Sequence, residues 1–184
     1  MTRIIAGRAG GRRLRTPAGS GTRPTSERVR EALFSALAAR GALAGARVLD
    51  LYAGSGALGL EAASRGAAAV TLVESDRRVC TLVTGNARDL GLAQARVVAS
   101  TVESYLRTGG TAYDVVLLDP PYAVREDALA AVLQALVVGG WVADGAHVVV
   151  ERSSRSPEPA WPAGLVAETL RTYGETALWY ATTA

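Results

Sequence analysis

A glycine-rich turn flanked by two carboxylates is the first feature of this sequence that could bind a ligand. Gly54, Gly56 and Gly59 stand in a G-x-G-x-x-G spacing directly after an apolar run. Glycines there permit a tight turn and a close approach of the backbone to a ligand. Asp50 ends that apolar run and Glu74 ends the next one, where a carboxylate can accept both hydrogen bonds from a ribose. The spacing therefore predicts a site for a cofactor that contains a nucleoside.

Two cofactors satisfy this pattern. NAD and S-adenosylmethionine (SAM) both carry an unphosphorylated ribose, so Glu74 does not distinguish between them. Asp50 favours SAM, because dehydrogenases usually carry an apolar residue at that position. In SAM enzymes an acid there organises the turn and meets the cationic end of the cofactor. A turn that packs a helix without binding any ligand is the remaining alternative.

The second chemically distinctive stretch is the segment Asp119-Pro120-Pro121-Tyr122, which directly follows the apolar run "YDVVLL". Proline fixes its own backbone angle and restricts the residue before it, so the two prolines stiffen this segment. A buried strand would thus carry a carboxylate to its tip, followed by rigid backbone and an aromatic ring. The structural alternative is a strand-ending turn with a packed ring.

Apolar runs alternate with helical patterns through most of the chain. This alternation predicts a parallel sheet covered on both faces, which binds ligands at the carboxyl ends of its strands. The predicted parallel strands are 46–52, 68–75, 95–100, 113–119 and 147–151. An antiparallel hairpin is expected over 165–183, a short hairpin over 3–17 and a helix over 22–40. We expect a basic N-terminal arm over 1–22 and a single α/β domain over 23–184.

Charge is distributed unevenly along the 184 residues, although the net charge is only +3. Residues 1–30 contain eight arginines and one acid, Glu27, whereas the remainder is mildly acidic. A short basic arm on an acidic body predicts a phosphate-rich partner, with Arg8, Arg12, Arg13 and Arg15 as its contacts. A solvated, partly disordered tail is the alternative.

Composition narrows the setting in which the protein works. No apolar run approaches the length of a membrane span, and the N-terminus lacks the apolar stretch of a signal peptide. The single cysteine, Cys80, cannot form an internal disulfide, so a reduced, cytoplasmic protein is expected. No cluster of His, Cys and acids has metal-ligand spacing, so no metal is expected.

The order of "DLYAGSG", "VES" and "DPPY" resembles class I SAM-dependent methyltransferases that act on exocyclic amines of bases. Four further segments, "RIIAG", "GRRLRTP", "TRPTSERVREALF" and "YGETAL", resemble the bacterial 16S rRNA guanine-N2 methyltransferase family. The resemblance extends over 3–180. It implies a Rossmann-like class I methyltransferase fold, with a seven-stranded, mostly parallel sheet and an antiparallel C-terminal hairpin.

The resemblance also implies catalytic roles for the Asp-Pro-Pro-Tyr segment. A base amine is a poor nucleophile because its lone pair is conjugated into the ring. In the family, the Asp119 side chain and the Pro120 carbonyl grip the two N–H groups, with Pro121 adding rigidity. Tyr122 would stack on a base flipped out of its helix.

The implied cofactor contacts, including those of the glycine turn, are Asp50, Tyr52, Ala53, Gly54, Ser55, Gly56, Gly59, Glu74, Ser75, Ser100 and Thr101. One position departs from the family, which usually has Gly-Asp after the third strand to contact the adenine amine. Ser100 and Thr101 occupy that neighbourhood here, so a hydroxyl or a backbone group would replace the acid. Positioning of substrate or cofactor is implied for Arg23, Thr25, Ser26 and Arg28.

The implied substrate is a guanine in 16S rRNA, within an assembled or partly assembled small ribosomal subunit. Asp rather than Asn at position 119 favours guanine, whose edge presents the N1–H donor beside the N2 amine and so suits an acceptor-only carboxylate. An adenine-N6 or cytosine-N4 methyltransferase is the alternative within the same chemistry. A nicotinamide-dependent oxidoreductase and a non-catalytic RNA-binding module are alternatives from other classes.

Overall fold

Seven strands form the central sheet, in a computed structural model that describes residues 2–19 and 26–184. The strand order is β5-β4-β3-β6-β7-β9-β8, in which β5, β4, β3, β6 and β7 are parallel to one another and β9 is antiparallel to both of its neighbours. The strands are β3 (Arg47–Leu51), β4 (Ala69–Glu74), β5 (Ala95–Ala99), β6 (Tyr113–Leu118), β7 (Val142–Ser153), β8 (Leu165–Tyr173) and β9 (Thr176–Thr183).

The register of the three central strands brings the two predicted motifs to one edge of the sheet. Leu51 at the end of β3 pairs with Val73 on one side and with Leu118 on the other. Because parallel strands end at the same edge, the glycine turn, Glu74 and Asp119 all follow at that edge.

Among the described residues, five helices cover the two faces of the sheet, each burying an apolar side against it. On one face lie α1 (Glu27–Ala39), α2 (Ala57–Ser64) and α3 (Arg77–Asp89), and on the other lie α4 (Val102–Leu106) and α5 (Glu126–Val138). Side chains mark where several of them begin. Ser26 accepts a hydrogen bond from the backbone N–H of Val29 at the start of α1, and Asp76 caps α3 in the same way.

The N-terminal segment packs onto the domain. Its two short strands, β1 (Thr2–Arg3) and β2 (Arg13–Leu14), form an antiparallel hairpin, and Ile4, Ala9 and Leu14 are buried in the core beneath α1 and α2. The buried Glu61 of α2 accepts hydrogen bonds from the backbone N–H groups of Ile5 and Ala6. The described part of the arm is therefore anchored by core packing as well as by charge.

The predicted fold is confirmed: the sheet is mostly parallel, the C-terminal hairpin is antiparallel and the N-terminal hairpin is short. The last parallel strand is longer than predicted, because β7 begins at Val142, and His147 lies within it, paired with Val115 and Thr182. Within residues 2–19 and 26–184, no helix is long and apolar enough to cross a membrane.

Candidate active site

One cavity of about 700 Å³ opens at the carboxyl edge of the sheet and is lined by both predicted motifs. From the cofactor set it is lined by Tyr52, Ala53, Gly54, Ser55, Glu74, Ser75, Ser100 and Thr101. From the catalytic set it is lined by Asp119, Pro120, Pro121 and Tyr122. Residues of two separate segments of the sequence thus line one cavity.

Glu74 organises the cofactor half of this cavity. Its carboxylate accepts one hydrogen bond from the backbone N–H of Gly54 at 2.9 Å and another from that of Asp76 at 2.8 Å. The Ser75 hydroxyl donates a third, longer bond to the carboxylate at 3.4 Å. An ionised carboxylate can accept about four hydrogen bonds, so an acceptor position remains for a ribose hydroxyl.

The other two glycines and Asp50 lie beneath the turn rather than among the described residues of the cavity wall. A Cβ on Gly56 would come within 2.6 Å of Val83, and one on Gly59 within 2.6 Å of Leu72. These two glycines let α2 pack closely on the sheet and on α3. Gly54 is the one of the three that lines the cavity.

Asp50 is fully buried under the turn. One carboxyl oxygen accepts a hydrogen bond from the backbone N–H of Gly59 at 2.8 Å, and the other has no hydrogen-bond partner among the described residues. Burial raises the pKa of Asp50 to about 8, the Gly59 bond opposes that shift, and the negative charges of Asp119 and Glu74 add to it. This geometry gives Asp50 the loop-organising role, because its carboxyl group holds the first turn of α2.

Tyr52 is held in an unusual backbone conformation between Asp50 and Gly54. Its φ of 61° is the only positive φ among the described non-glycine residues, and such a conformation costs on the order of 1–3 kcal/mol. Its hydroxyl is buried without a hydrogen-bond partner in the described structure. Burial, helped by the negative charge of Glu103 and opposed by Arg152, raises the pKa of Tyr52 to about 12.

Arg152, near the end of β7, anchors the segment that carries the Asp-Pro-Pro-Tyr motif. Its buried guanidinium donates hydrogen bonds to the backbone carbonyl of Val124, at 3.0 Å, and to the carboxylate of Glu126. The backbone N–H of Val124 donates in turn to the carbonyl of Pro121, at 2.9 Å. The rigid turn after Asp119 is thus fixed from both of its ends.

Tyr122 differs from the other aromatic residues of the site in its exposure. Its side chain is 71% exposed at the cavity mouth, where the ring packs against little of the protein. A tyrosine that only filled the core would be buried, so this ring presents an apolar face for a planar ligand.

The hydroxyls that replace the family's acid at the end of β5 already make local bonds. Thr101 caps α4 by accepting a hydrogen bond from the backbone N–H of Ser104 at 3.1 Å. Ser100 donates its hydroxyl hydrogen to the carbonyl of Thr101 at 2.9 Å, so its oxygen can only accept from a ligand. An adenine amine is a donor and matches that remaining capacity.

Among the predicted RNA contacts, those that the structure describes lie outside this cavity. Arg8 and Arg12 donate to backbone carbonyls just after α3 and at its end, and Arg15 pairs with Asp89 at 2.7 Å. Arg13 and Arg28 are exposed, and Ser26 caps α1. Arg23 and Thr25 lie outside the described residues.

Sequence reasoning missed two walls of the cavity. The first is the segment Thr16–Gly19 after β2, which belongs to the predicted basic arm. The second is the end of β7, with Glu151, Arg152 and Ser153. The rule that ligands bind at the carboxyl ends of parallel strands could have identified the second wall.

The polar groups of the cavity fit SAM. Glu74 has an acceptor position left for the ribose, Gly54 lets the backbone approach closely, and several carboxylates suit a cofactor with a cationic end. Among residues 2–19 and 26–184, no group of three or more His, Cys, Asp or Glu side chains could hold a metal ion.

Known proteins are similar to this chain over almost its whole length. The "Conserved hypothetical protein 95" family matches residues 2–182. The ribosomal RNA small subunit methyltransferase D of Escherichia coli is 44% identical over 161 residues, which are 88% of this chain and 79% of that protein. The protein of the same name from Haemophilus influenzae is 35% identical and covers 84% of this chain and 80% of its own length.

Solved structures agree. An Escherichia coli protein classed by name as a methyltransferase superposes with a TM-score of 0.89 at 38% identity, covering 99% of this chain and 97% of that one. A hypothetical protein of Thermus thermophilus gives a TM-score of 0.84 at 38% identity, over 98% of each chain. The chain belongs to the Conserved hypothetical protein 95 family, with the ribosomal RNA small subunit methyltransferases D as its relatives.

Proposed function

We propose that this protein transfers a methyl group from SAM to the exocyclic N2 amine of a guanine in the 16S rRNA of the small ribosomal subunit, acting in the cytoplasm. The observation that carries the proposal is the single cavity that joins the cofactor turn to Asp119-Pro120-Pro121-Tyr122. The relatives named for methylation of small-subunit rRNA support the substrate class.

SAM supplies an electrophilic methyl group on a positively charged sulfur. The protein's task is then to orient a neutral amine, since positioning of reactants can lower a barrier by on the order of 7–11 kcal/mol at best. In the proposed arrangement the Asp119 carboxylate and the Pro120 carbonyl accept hydrogen bonds from the two N–H groups of the amine. This turns the nitrogen lone pair out of conjugation with the ring.

The proposed methyl transfer needs no strong base to remove a proton from the amine before attack. As the bond from nitrogen to the methyl carbon forms and the bond from sulfur to that carbon breaks, positive charge develops on the nitrogen. The Asp119 carboxylate stabilises that charge, and the surplus proton leaves to Asp119 or to water. Tyr122, exposed at the mouth, stacks on the base, which is worth roughly 1–3 kcal/mol.

The test is methyl transfer by two variants at one position. Asp119→Ala removes both acceptor oxygens, so we expect transfer to collapse while SAM binding survives. Asp119→Asn keeps one acceptor oxygen and introduces a donor facing donors, so we expect a residual rate between those of Asp119→Ala and the wild type. Calorimetry with SAM and incorporation of labelled methyl into small subunits measure the two quantities. Full activity of Asp119→Ala would refute the proposed role of the carboxylate.

A further inference from the structure

The cavity alone has the wrong charge to attract RNA. Its described walls carry the acids Glu74, Asp76, Glu103, Asp119 and Glu151 against a single arginine. RNA binding depends largely on contacts between basic side chains and phosphates. The attraction for a polyanion must therefore come from a surface beside the cavity.

Part of the arm's positive charge is already engaged by the protein. Arg8 donates to the carbonyl of Gly91 at 2.9 Å, Arg12 donates to the carbonyl of Asp89, and Arg15 pairs with the Asp89 carboxylate. These carbonyls lie at the C-terminal end of α3, where the helix dipole favours cations. The arm is thereby laid along α3, and the two form one surface.

That surface contains a second, open groove of about 760 Å³ between α3 and the edge strand β5. Four arginines line it and no acid does, among the residues that the structure describes: Arg15, Arg77, Arg78 and Arg88. Arg15 is 59% exposed and Arg88 is 81% exposed. Asp89, beside the groove, pairs with both, so four positive charges against one negative charge leave a clear positive excess.

Gly85 permits the close contact between the arm and α3 in this groove. A Cβ at this position would approach the terminal nitrogen of Arg15 to 2.6 Å. The guanidinium of Arg15 thus lies directly on the helix backbone. The backbone of Arg15 is held in place by Asn86, whose side chain bonds to both the N–H and the carbonyl of Arg15.

The groove and the cavity adjoin at three places along the chain. Arg15 lines the groove and Thr16 the cavity, Arg77 lines the groove and Asp76 the cavity, and Ala99 lines the groove and Ser100 the cavity. An RNA strand that leaves the cavity beside these residues therefore has the groove next to it.

We propose that the groove between α3 and β5 binds the phosphate backbone of the RNA next to the target nucleotide, with Arg77, Arg78 and Arg88 as contacts. This inference rests on the proposed function. The guanidinium suits the role, because its planar set of donors matches phosphate oxygens in pairs. The arm arginines contribute at the same surface.

The test compares two double variants with equal loss of charge. Arg78→Gln/Arg88→Gln removes two groove arginines, whereas Arg107→Gln/Arg171→Gln removes two exposed arginines on α4's end and on β8. Binding of a labelled single-stranded RNA oligonucleotide is measured over a range of salt concentrations. We expect the groove variant to reduce the slope of log K against log salt by roughly 1–2, at about 0.7–0.9 per phosphate contact. The control variant and SAM affinity in both variants should stay unchanged.

Three outcomes would overturn the inference. The first is an unchanged slope in the groove variant, and the second is an equal fall in the control variant. The third is normal RNA binding combined with impaired methylation of assembled subunits, which would identify a protein partner for this groove. In all three the wild type still methylates RNA, whereas the absence of RNA methylation by the wild type refutes the proposed function itself.

Discussion

The Glu74 carboxylate accepts a hydrogen bond from the backbone N–H of Gly54 at 2.9 Å, which ties the end of β4 to the turn after β3. The two residues are 20 positions apart, and both line the cavity. A single side chain therefore shapes the glycine turn and lines the cavity in which SAM is proposed to bind.

We expect Glu74→Gln to weaken SAM binding by about 10- to 150-fold, which corresponds to the loss of one hydrogen bond to a charged acceptor, about 1.5–3 kcal/mol. The amide nitrogen of glutamine would face the N–H of Gly54 or of Asp76. Calorimetric titration with SAM measures the effect. Glu103→Gln removes an equal charge from another part of the cavity wall and should change affinity far less. Equal losses in the two variants would assign the effect to charge alone.

The raised pKa of Asp50, about 8, predicts a pH dependence of stability. The folded protein keeps a proton on this carboxyl where the unfolded chain, with a pKa near 3.8, has lost it. The free energy of unfolding therefore falls as pH rises between about 4 and 8, by at most about 1.4 kcal/mol per pH unit from this one group.

Asp50→Asn removes that proton and keeps an oxygen that can accept from Gly59. In the absence of SAM, we expect the free energy of unfolding of the variant to rise relative to that of the wild type as the pH increases across this range. Urea unfolding at several pH values measures it. A difference that is independent of pH would show that Asp50 is ionised in the folded protein throughout.

Two helical glycines should respond in opposite ways to the same substitution. In Gly59→Ala the new methyl group meets Leu72 at 2.6 Å and Asp50 at 3.0 Å, so we expect a loss of about 1–3 kcal/mol from overpacking. In Gly85→Ala the nearest atom is the mobile end of the Arg15 side chain. Because alanine favours the helix by roughly 0.5–1 kcal/mol, this variant should be as stable as the wild type or more so. Thermal unfolding of both variants tests the contrast, and equal destabilisation would contradict it.

Arg152 should affect turnover more than cofactor binding. Arg152→Gln loses the bond to the Val124 carbonyl and the pairing with Glu126, so the turn after Asp119 becomes less rigid. We expect a destabilisation of about 1.5–3 kcal/mol and a lower kcat with nearly unchanged SAM affinity. Arg152→Lys, which can reach one acceptor, should restore part of the rate. The exposed Arg171→Gln serves as control, and a variant with wild-type kcat would remove Arg152 from the positioning of the motif.

Much of this site could be predicted because its residues occur in local patterns. Asp119-Pro120-Pro121-Tyr122 and the glycine turn each follow a buried strand, and parallel strands bring such ends together. The different structural roles of the three glycines could not be predicted, because the same G-x-G-x-x-G spacing is compatible with a close approach of the backbone to a ligand and with close packing of a helix. Gly54 lines the cavity, whereas Gly56 and Gly59 lie in close packing against Val83 and Leu72.

Contacts between segments that lie far apart in the sequence could not be predicted from it. Arg152 and Val124 are 28 positions apart, and their bond depends on how α5 crosses between β6 and β7. The contact between Arg15 and Gly85 likewise joins the basic N-terminal arm to a glycine inside α3. Neither residue indicates the other in the sequence. Each residue is explained only by its partner in the folded protein.

The most direct test of the central claim is nucleoside mass analysis of small-subunit rRNA after incubation with the protein and SAM carrying an isotopically labelled methyl group. The proposed function predicts that the label appears in N2-methylguanosine with the wild type and is lost with Asp119→Ala. Label in N6-methyladenosine or N4-methylcytidine, or no transfer to RNA at all, would contradict it.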